Sequence, residues 1–316
     1  FYDRAIALTN RLPDLAASGT VLDLHMGRGE ARALLGGQMQ EAVADLKRVA
    51  EAARASGDQV RQRTAFIALG QAHRMADQLD DATEYLTAAL ELCRAQGDQH
   101  SLANVLHHLG TVAWSAGNNF HASLYHQEAL ELCARLEVED IVTVQALHGR
   151  AEAFCAAARP NQAIAMFEES LLLAQRIGNR RYEGENLQMI GWCLLGMAGV
   201  ADYGRARKLL EESLAISDDS QLAWNSDITL SFYGWVLACQ GDYRQGIVLI
   251  QEAIARLHKD GLMRFLSMAY DFLGHIYQDL NLTHLALEAH TAGLNIALNG
   301  QVGYWMPRLS ANVALA

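Results

Sequence analysis

Apolar residues along this chain recur with helical spacing. Leu86, Ala89, Leu90 and Cys93 fall at i, i+3, i+4 and i+7, and Phe167, Leu171 and Ala174 keep the same rhythm. A stripe of that kind buries one face of a helix and leaves the other polar. The stripes are interrupted at Gly57-Asp58, Gly97-Asp98 and Gly178-Asn179. Glycine there supplies a left-handed helix end, and the Asp or Asn after it can cap the next helix. The pattern therefore predicts an all-α chain of many short helices joined by tight turns.

The helices repeat in pairs. Ala68-Leu69-Gly70, His108-Leu109-Gly110, Met189-Ile190-Gly191, Phe232-Tyr233-Gly234 and Phe272-Leu273-Gly274 align with one another, and Glu30 and Ala151 fill the final slot in two further copies. From Glu30 to Gly274 the slots step by 40, 40, 41, 40, 43 and 40 residues. Small residues stand twelve places on at Ala42, Ala82, Ala122, Ala163, Gly246 and Ala286. In the fifth copy the match is Ala206, after three extra residues within Gly196 to Asp202. A third column follows at Val49, Ala89, Ala129, Ser170, Ser213, Ala253 and Gly293. Small side chains at a crossing let two helix backbones approach closely. Each copy is thus expected to be a helical hairpin that buries its faces against its neighbours.

Composition agrees. Of 316 residues 51% are hydrophobic and only 3 are proline, as closely packed helices require. The formal net charge is −11, and no basic run offers the stripe that phosphate backbones need, which argues against nucleic-acid binding. Cys93, Cys133, Cys155, Cys193 and Cys239 are odd in number and widely spaced, so they are expected to be reduced core thiols of a cytoplasmic protein. No charged-then-apolar leader opens the sequence and no apolar run is long enough to span a bilayer. Phe1 to Leu12 has the character of a helix already under way, so the chain is expected to be part of something larger.

Gly117-Asn-Asn-Phe-His-Ala122 and Gly241-Asp-Tyr-Arg-Gln-Gly246 resemble the hairpin turn of tetratricopeptide repeats. Gly110 with Gly117, and Gly234 with Gly241, keep that family's spacing of seven. The resemblance covers about residues 20–298, and the copies are longer than the usual ~34 residues. Long repeats are similar to the solenoids of the maltose-regulon activator and related signal-transducing ATPases, to kinesin light chain and cell-polarity scaffolds, and to bacterial repeat–caspase fusions. The resemblance implies a right-handed α-solenoid of about seven antiparallel hairpins, near 20–58, 59–98, 99–139, 140–179, 180–220, 221–261 and 262–298. Residues 1–19 and 299–316 would then be half-copies.

In that family the first helix of each hairpin lines a concave groove for a peptide. Carried over by position, the partner-binding face is Gln71, Arg74, Asn104, His107, Thr111, Trp114, Gln145, His148, Glu152, Glu185, Gln188, Trp192, Ser231, Trp235, Asp271 and His275. Thr64, Ile67, Cys155, Leu195, Ile228, Ala238, Met268 and Gln278 complete it. Trp114, Trp192 and Trp235 are either recognition rings or fillers between neighbouring helices. No lysine lies on the face, so the Lys–Asn clamp by which chaperone-binding relatives hold a chain terminus is missing. Glu152, Glu185 and Asp271 favour a neutral or basic ligand.

Catalytic and cofactor chemistry finds little support. No two of the 12 histidines sit three or four residues apart, and no His-Glu-x-x-His occurs. His107-His108 and His121/His126 are the densest histidines. Gly27-Arg28-Gly29 lacks the Gly-Lys-Ser/Thr of a phosphate loop. Glu211-Glu212 and Asp218-Asp219 have the character of solvated helix ends. The expectation is a non-catalytic interaction module without cofactor or metal, whose partner is a protein or peptide, or another domain of the same protein. A small effector, as in a sensor of a signalling ATPase or transcription activator, is the alternative, and an α/α-toroid enzyme the remote one.

Overall fold

A computed structural model describes residues 1–9, 19–35, 38–195, 201–220, 223–259, 261–299 and 306–315. Residues 10–12, the insertion at 196–200 and residues 304–305 lie outside it, as do the side chains of Asp218 and Asp219. The described residues form sixteen α-helices, in two compact units.

Unit 1, Phe1–Val138, contains α1 (Tyr2–Thr9), α2 (Gly19–Leu35), α3 (Met39–Ser56), α4 (Gln59–Met75), α5 (Leu79–Gln96), α6 (Gln99–Ser115) and α7 (Asn119–Leu136). Its hairpins are α2–α3, α4–α5 and α6–α7. Unit 2, Glu139–Ala316, contains α8 (Ile141–Ala156), α9 (Pro160–Arg176), α10 (Arg180–Cys193), α11 (Tyr203–Ser220), α12 (Ala223–Cys239), α13 (Tyr243–Lys259), α14 (Met263–Asp279), α15 (Thr283–Asn299) and α16 (Met306–Leu315). Four hairpins, α8–α9 through α14–α15, precede the single helix α16.

The aligned glycines mark the tightest crossing inside each hairpin. A Cβ on Gly70 would lie 2.5 Å from Leu86 Cγ, and one on Gly234 would lie 2.9 Å from the Gly246 carbonyl oxygen. The facing residue sixteen places on is Leu86, His126, Phe167, Ile250 or His290, and all five are buried. In the first copy the aligned position is Gly29, not Glu30. A Cβ on Gly29 would meet Leu46 Cγ at 2.8 Å and the Ala42 oxygen at 3.2 Å. Leu46 lies one place further from this glycine than the facing residue does in the copies at Gly70, Gly110, Gly234 and Gly274, so the first step is 41 residues and Glu30 falls one place after the crossing. The third small-residue column lies against first-helix carbonyls. Ser170 Oγ donates to Val144 O at 3.0 Å and Ser213 Oγ to Gly184 O at 2.9 Å. At Gly293 a Cβ would reach Ser267 O at 3.0 Å.

The turn seven places after the crossing needs a left-handed residue. Gly117 and Gly241 supply it at φ 78° and 93°, whereas Asp77, Ala158 and Asn281 adopt φ 54–56° with a Cβ. Asp and Asn tolerate that region; Ala158 is held there at a cost of about 1 kcal/mol. Between hairpins, Gly57, Gly97 and Gly178 end one helix, and Asp58, Asp98 and Asn179 accept from the backbone N–H three places on in the next.

Unit 1 opens on an ionic knot. Asp45, on α3, accepts from Arg28 Nε (2.7 Å) and Nη2 (2.6 Å), and from Arg32 Nη1 (3.0 Å), with His25 Nδ1 at 2.8 Å. Burial alone would raise the Asp45 pKa, but the bonds from Arg28 and His25 hold it below the ordinary value. Arg28 also reaches Asp3 at 2.7 Å and so ties α1 to the first hairpin. Four of the five cysteines are buried and none is in a disulfide; Cys155 and Cys193 have their sulfurs 3.0 Å apart.

Candidate partner-binding face

The sixteen residues expected on the first-helix face fall into two environments. In unit 1, Gln71, Arg74, Asn104, Thr111 and Trp114 are half-buried, and His107 is buried. Thr111 Oγ1 donates to the His107 carbonyl of its own helix at 3.1 Å, and the His107 ring lies against those of His108 and His126. Gln71 Nε2 donates across to His108 Nε2 at 2.7 Å, which requires that ring nitrogen to be unprotonated. Burial, and secondarily Arg74, pushes the His108 pKa down to about 3, so the ring is neutral under all ordinary conditions.

Unit 2 is more closed. Glu185, Gln188, Trp192, Ser231 and Asp271 are buried, as is His148. His148 Nδ1 pairs with Asn186 Oδ1 at 2.9 Å, and Asn186 Nδ2 donates to Ser170 Oγ at 3.0 Å. Glu152 lies 3.9 Å from the other nitrogen of His148, and Glu185 accepts from Arg181 Nε at 2.8 Å. Burial pushes the Tyr182 phenol up, against a hydrogen bond with Gln145 that lowers it. Ser231 Oγ donates to Ile228 O at 2.7 Å. Asp271 Oδ1 accepts from Asn312 Nδ2 at 2.7 Å, with His290 Nδ1 at 3.3 Å, while His275 Nε2 lies 3.7 Å from Oδ2. Trp192 stacks on Phe232 (5.9 Å, 22°) and Trp235 on Phe272 (5.5 Å, 18°).

One rule organises these contacts. In four copies the residue immediately after the crossing touches a residue of the next first helix, two places before the crossing position there. Gln71 meets His108, Trp192 meets Phe232, Trp235 meets Phe272, and His275 Nε2 lies 3.2 Å from Asn312 Nδ2. His108, Phe232 and Phe272 open the aligned triplets of the sequence, but as a mixture of His, Phe and Asn the partners share no chemical type, and the sequence alone did not show that they meet the residue after a crossing. The tryptophans at Trp192 and Trp235 therefore pack between consecutive first helices.

In unit 1 this pairing has a gap. Glu30 follows the Gly29 crossing, and the residue it should meet is Ala68. A pocket of about 240 Å³ opens there, lined by Glu30, Arg63, Thr64, Ile67, Ala68, Gln71, Ser101 and Asn104. Arg63 is buried and bound to Gln96 Oε1 and, at 3.0 Å, to Asp98 Oδ2, so its charge is matched. Glu30 is exposed as a residue, yet partial desolvation raises its carboxyl above the ordinary value. Among the described residues no group of three His, Cys, Asp or Glu side chains could hold a metal ion, and no helix is long and apolar enough to cross a membrane.

Stacked hairpins with these turns and crossings define a tetratricopeptide-type α-solenoid. Residues 102–140 and 142–219 match tetratricopeptide repeat families, so the chain carries tetratricopeptide repeats. No curated protein sequence matches it. Among solved structures it is similar to a Rap protein complexed with competence and sporulation factor, at 13% identity over 99% of this chain and 94% of that one (TM-score 0.68). It is similar to the Rap conjugation gene regulator of plasmid pLS20 in complex with the Phr* peptide, at 15% identity over 82% and 70% (TM-score 0.62). A signal transduction ATPase with a tetratricopeptide repeat sensor, from Pyrococcus horikoshii, matches at 18% identity over 85% of this chain and 42% of that one (TM-score 0.59). At these identities the likeness is one of fold.

Proposed function

We propose that the chain is a non-catalytic, regulatory interaction module that holds a peptide or an extended segment of a partner protein on its first-helix face, with the unit 1 pocket at the centre of the contact. The observation that carries this reading is the gap beside Ala68. It is a half-buried concavity whose walls, Thr64, Gln71, Ser101 and Asn104, present hydroxyl and amide groups with both donors and acceptors. Such groups match a peptide backbone, which needs a donor and an acceptor at every residue. Of the similar structures, one was solved with the Phr* peptide and another with competence and sporulation factor, which supports the class of partner. The acidic balance of −11 suits a neutral or basic partner and not a nucleic acid.

The test is affinity capture from a lysate of the native cell, using the chain beside a variant carrying Thr64→Lys and Asn104→Lys. Neither residue is buried, so the long side chains block the face without opening the core. A partner retained by the parent chain and lost by the variant is the expected result. Equal retention by both would move the binding surface elsewhere.

A further inference from the structure

We infer that the pocket at Ala68 is a subsite for one basic side chain, arginine or lysine, of the bound segment. The inference rests on the reading that a partner occupies this face, and adds which residue of the partner is read. Three observations converge. The first is shape. In four other copies the residue after the crossing is matched by a ring or an amide from the next first helix: His108, Phe232, Phe272 or Asn312. At Ala68 a methyl group replaces it, and about 240 Å³ is left open. That is below the roughly 300–1,000 Å³ of pockets for drug-sized ligands and suits a single long side chain.

The second is charge. Arg63 is neutralised by Asp98 at 3.0 Å, while Glu30 has no hydrogen-bond or ion-pair partner among the described residues. The wall therefore carries one unmatched negative charge. Partial desolvation already disfavours that carboxylate, and an incoming cation would relieve it. The third is the lining. Ile67 and Ala68 give an apolar floor for a methylene stem, and Thr64, Ser101 and Asn104 add oxygens that can accept from an ammonium or guanidinium head. The other cation nearby is Arg74, which is half-buried and does not line the pocket.

The test uses blocked pentapeptides, Ala-Ala-Xaa-Ala-Ala, with Xaa as Arg, Lys or citrulline. Binding is followed by the methyl resonances of Ile67 and Ala68. Arg and Lys peptides should shift those signals, and citrulline, which has the shape of arginine without its charge, should bind at least about tenfold more weakly. Glu30→Gln should remove the preference for arginine over citrulline. Ala68→Phe, which supplies the ring found at Phe232 and Phe272, should abolish the shifts with helicity unchanged. Should Ala68→Phe fail to fold, the surface change Glu30→Gln decides alone. Equal affinity for arginine and citrulline, no methyl shift with any peptide, or a preference that survives Glu30→Gln would overturn the subsite. A cellular partner lost with the Thr64 and Asn104 variant but indifferent to Glu30→Gln would overturn the subsite and leave the interaction reading standing. Charge-dependent peptide binding without any captured partner would uphold the subsite and sink that reading.

Discussion

Within each unit, neighbouring first helices meet through the same two positions, yet the two units fill them differently. In unit 2 the pairs are Trp192 with Phe232, Trp235 with Phe272, and His275 with Asn312 beside the buried Asp271. In unit 1 they are Gln71 with His108, and Glu30 facing Ala68. Stacked rings exclude water and make that face part of the core. An amide on a neutral imidazole, and a carboxylate beside a methyl group, leave polar surface within reach of a ligand. One backbone scheme thus yields a packed face or a receptive one, according to two side chains per repeat.

The sharpest way to break the comparison is to truncate the equivalent position in each unit. Trp235→Ala removes a ring stacked on Phe272 and should cost about 3 kcal/mol in urea unfolding. Gln71→Ala should cost about 1–2 kcal/mol, chiefly because the buried His108 nitrogen loses its donor. Equal losses would mean that the two faces are packed alike.

A pH series sharpens it further. Because the folded His108 pKa lies near 3, below the unfolded value of about 6.5, the contribution of this residue is complete above pH 6.5. As pH falls toward 3 the unfolded chain binds a proton that the folded one refuses, and stability declines. Between pH 7 and pH 5 the loss should be about 1–2 kcal/mol, and His108→Gln should flatten that slope. A slope that persists in the variant between pH 7 and 5 would assign it to groups other than His108; the Asp45 knot, whose carboxyl is held below its ordinary value, loses its contribution only in more acidic solution, below about pH 4.

The smallest effect concerns the turns. Ala158 occupies the left-handed position taken by Gly117 and Gly241, so Ala158→Gly should stabilise by about 0.5–1 kcal/mol in the same unfolding assay. Asp77→Gly in unit 1 should change less, because Asp already tolerates that region. A loss of stability at Ala158→Gly would show that the turn is not strained.

Much of this architecture was legible in the residues. The glycine and small-residue columns report backbone approach, which only small side chains allow, so they survive as a visible period. The exception is instructive: Glu30 fitted the 40-residue step, but the longer path to Leu46 moved the crossing to Gly29. The face positions were assigned from family resemblance, and the structure brings Thr64, Gln71 and Asn104 to one pocket with Arg63 and Glu30, which were not expected there. Trp192 and Trp235 share their column with Gln71, and nothing in a single sequence says whether such a residue meets a neighbour or a ligand. That depends on the residue it faces, about 40 places away, where Phe272 fills the space and Ala68 leaves it open. The ionic knot at Asp45 escaped notice for the same reason, since Asp3, His25, Arg28 and Arg32 come together only once α1, α2 and α3 are packed.

The most direct test of the account is photo-crosslinking in native cell extract, with a benzophenone amino acid placed singly at Asn104, in the unit 1 pocket, and at Val248, exposed on α13. A receptive first-helix face predicts one discrete crosslinked partner from the Asn104 position, lost on adding Glu30→Gln, and none from Val248. The same adduct from both positions, or none from Asn104 in extract where the partner is captured, would contradict it.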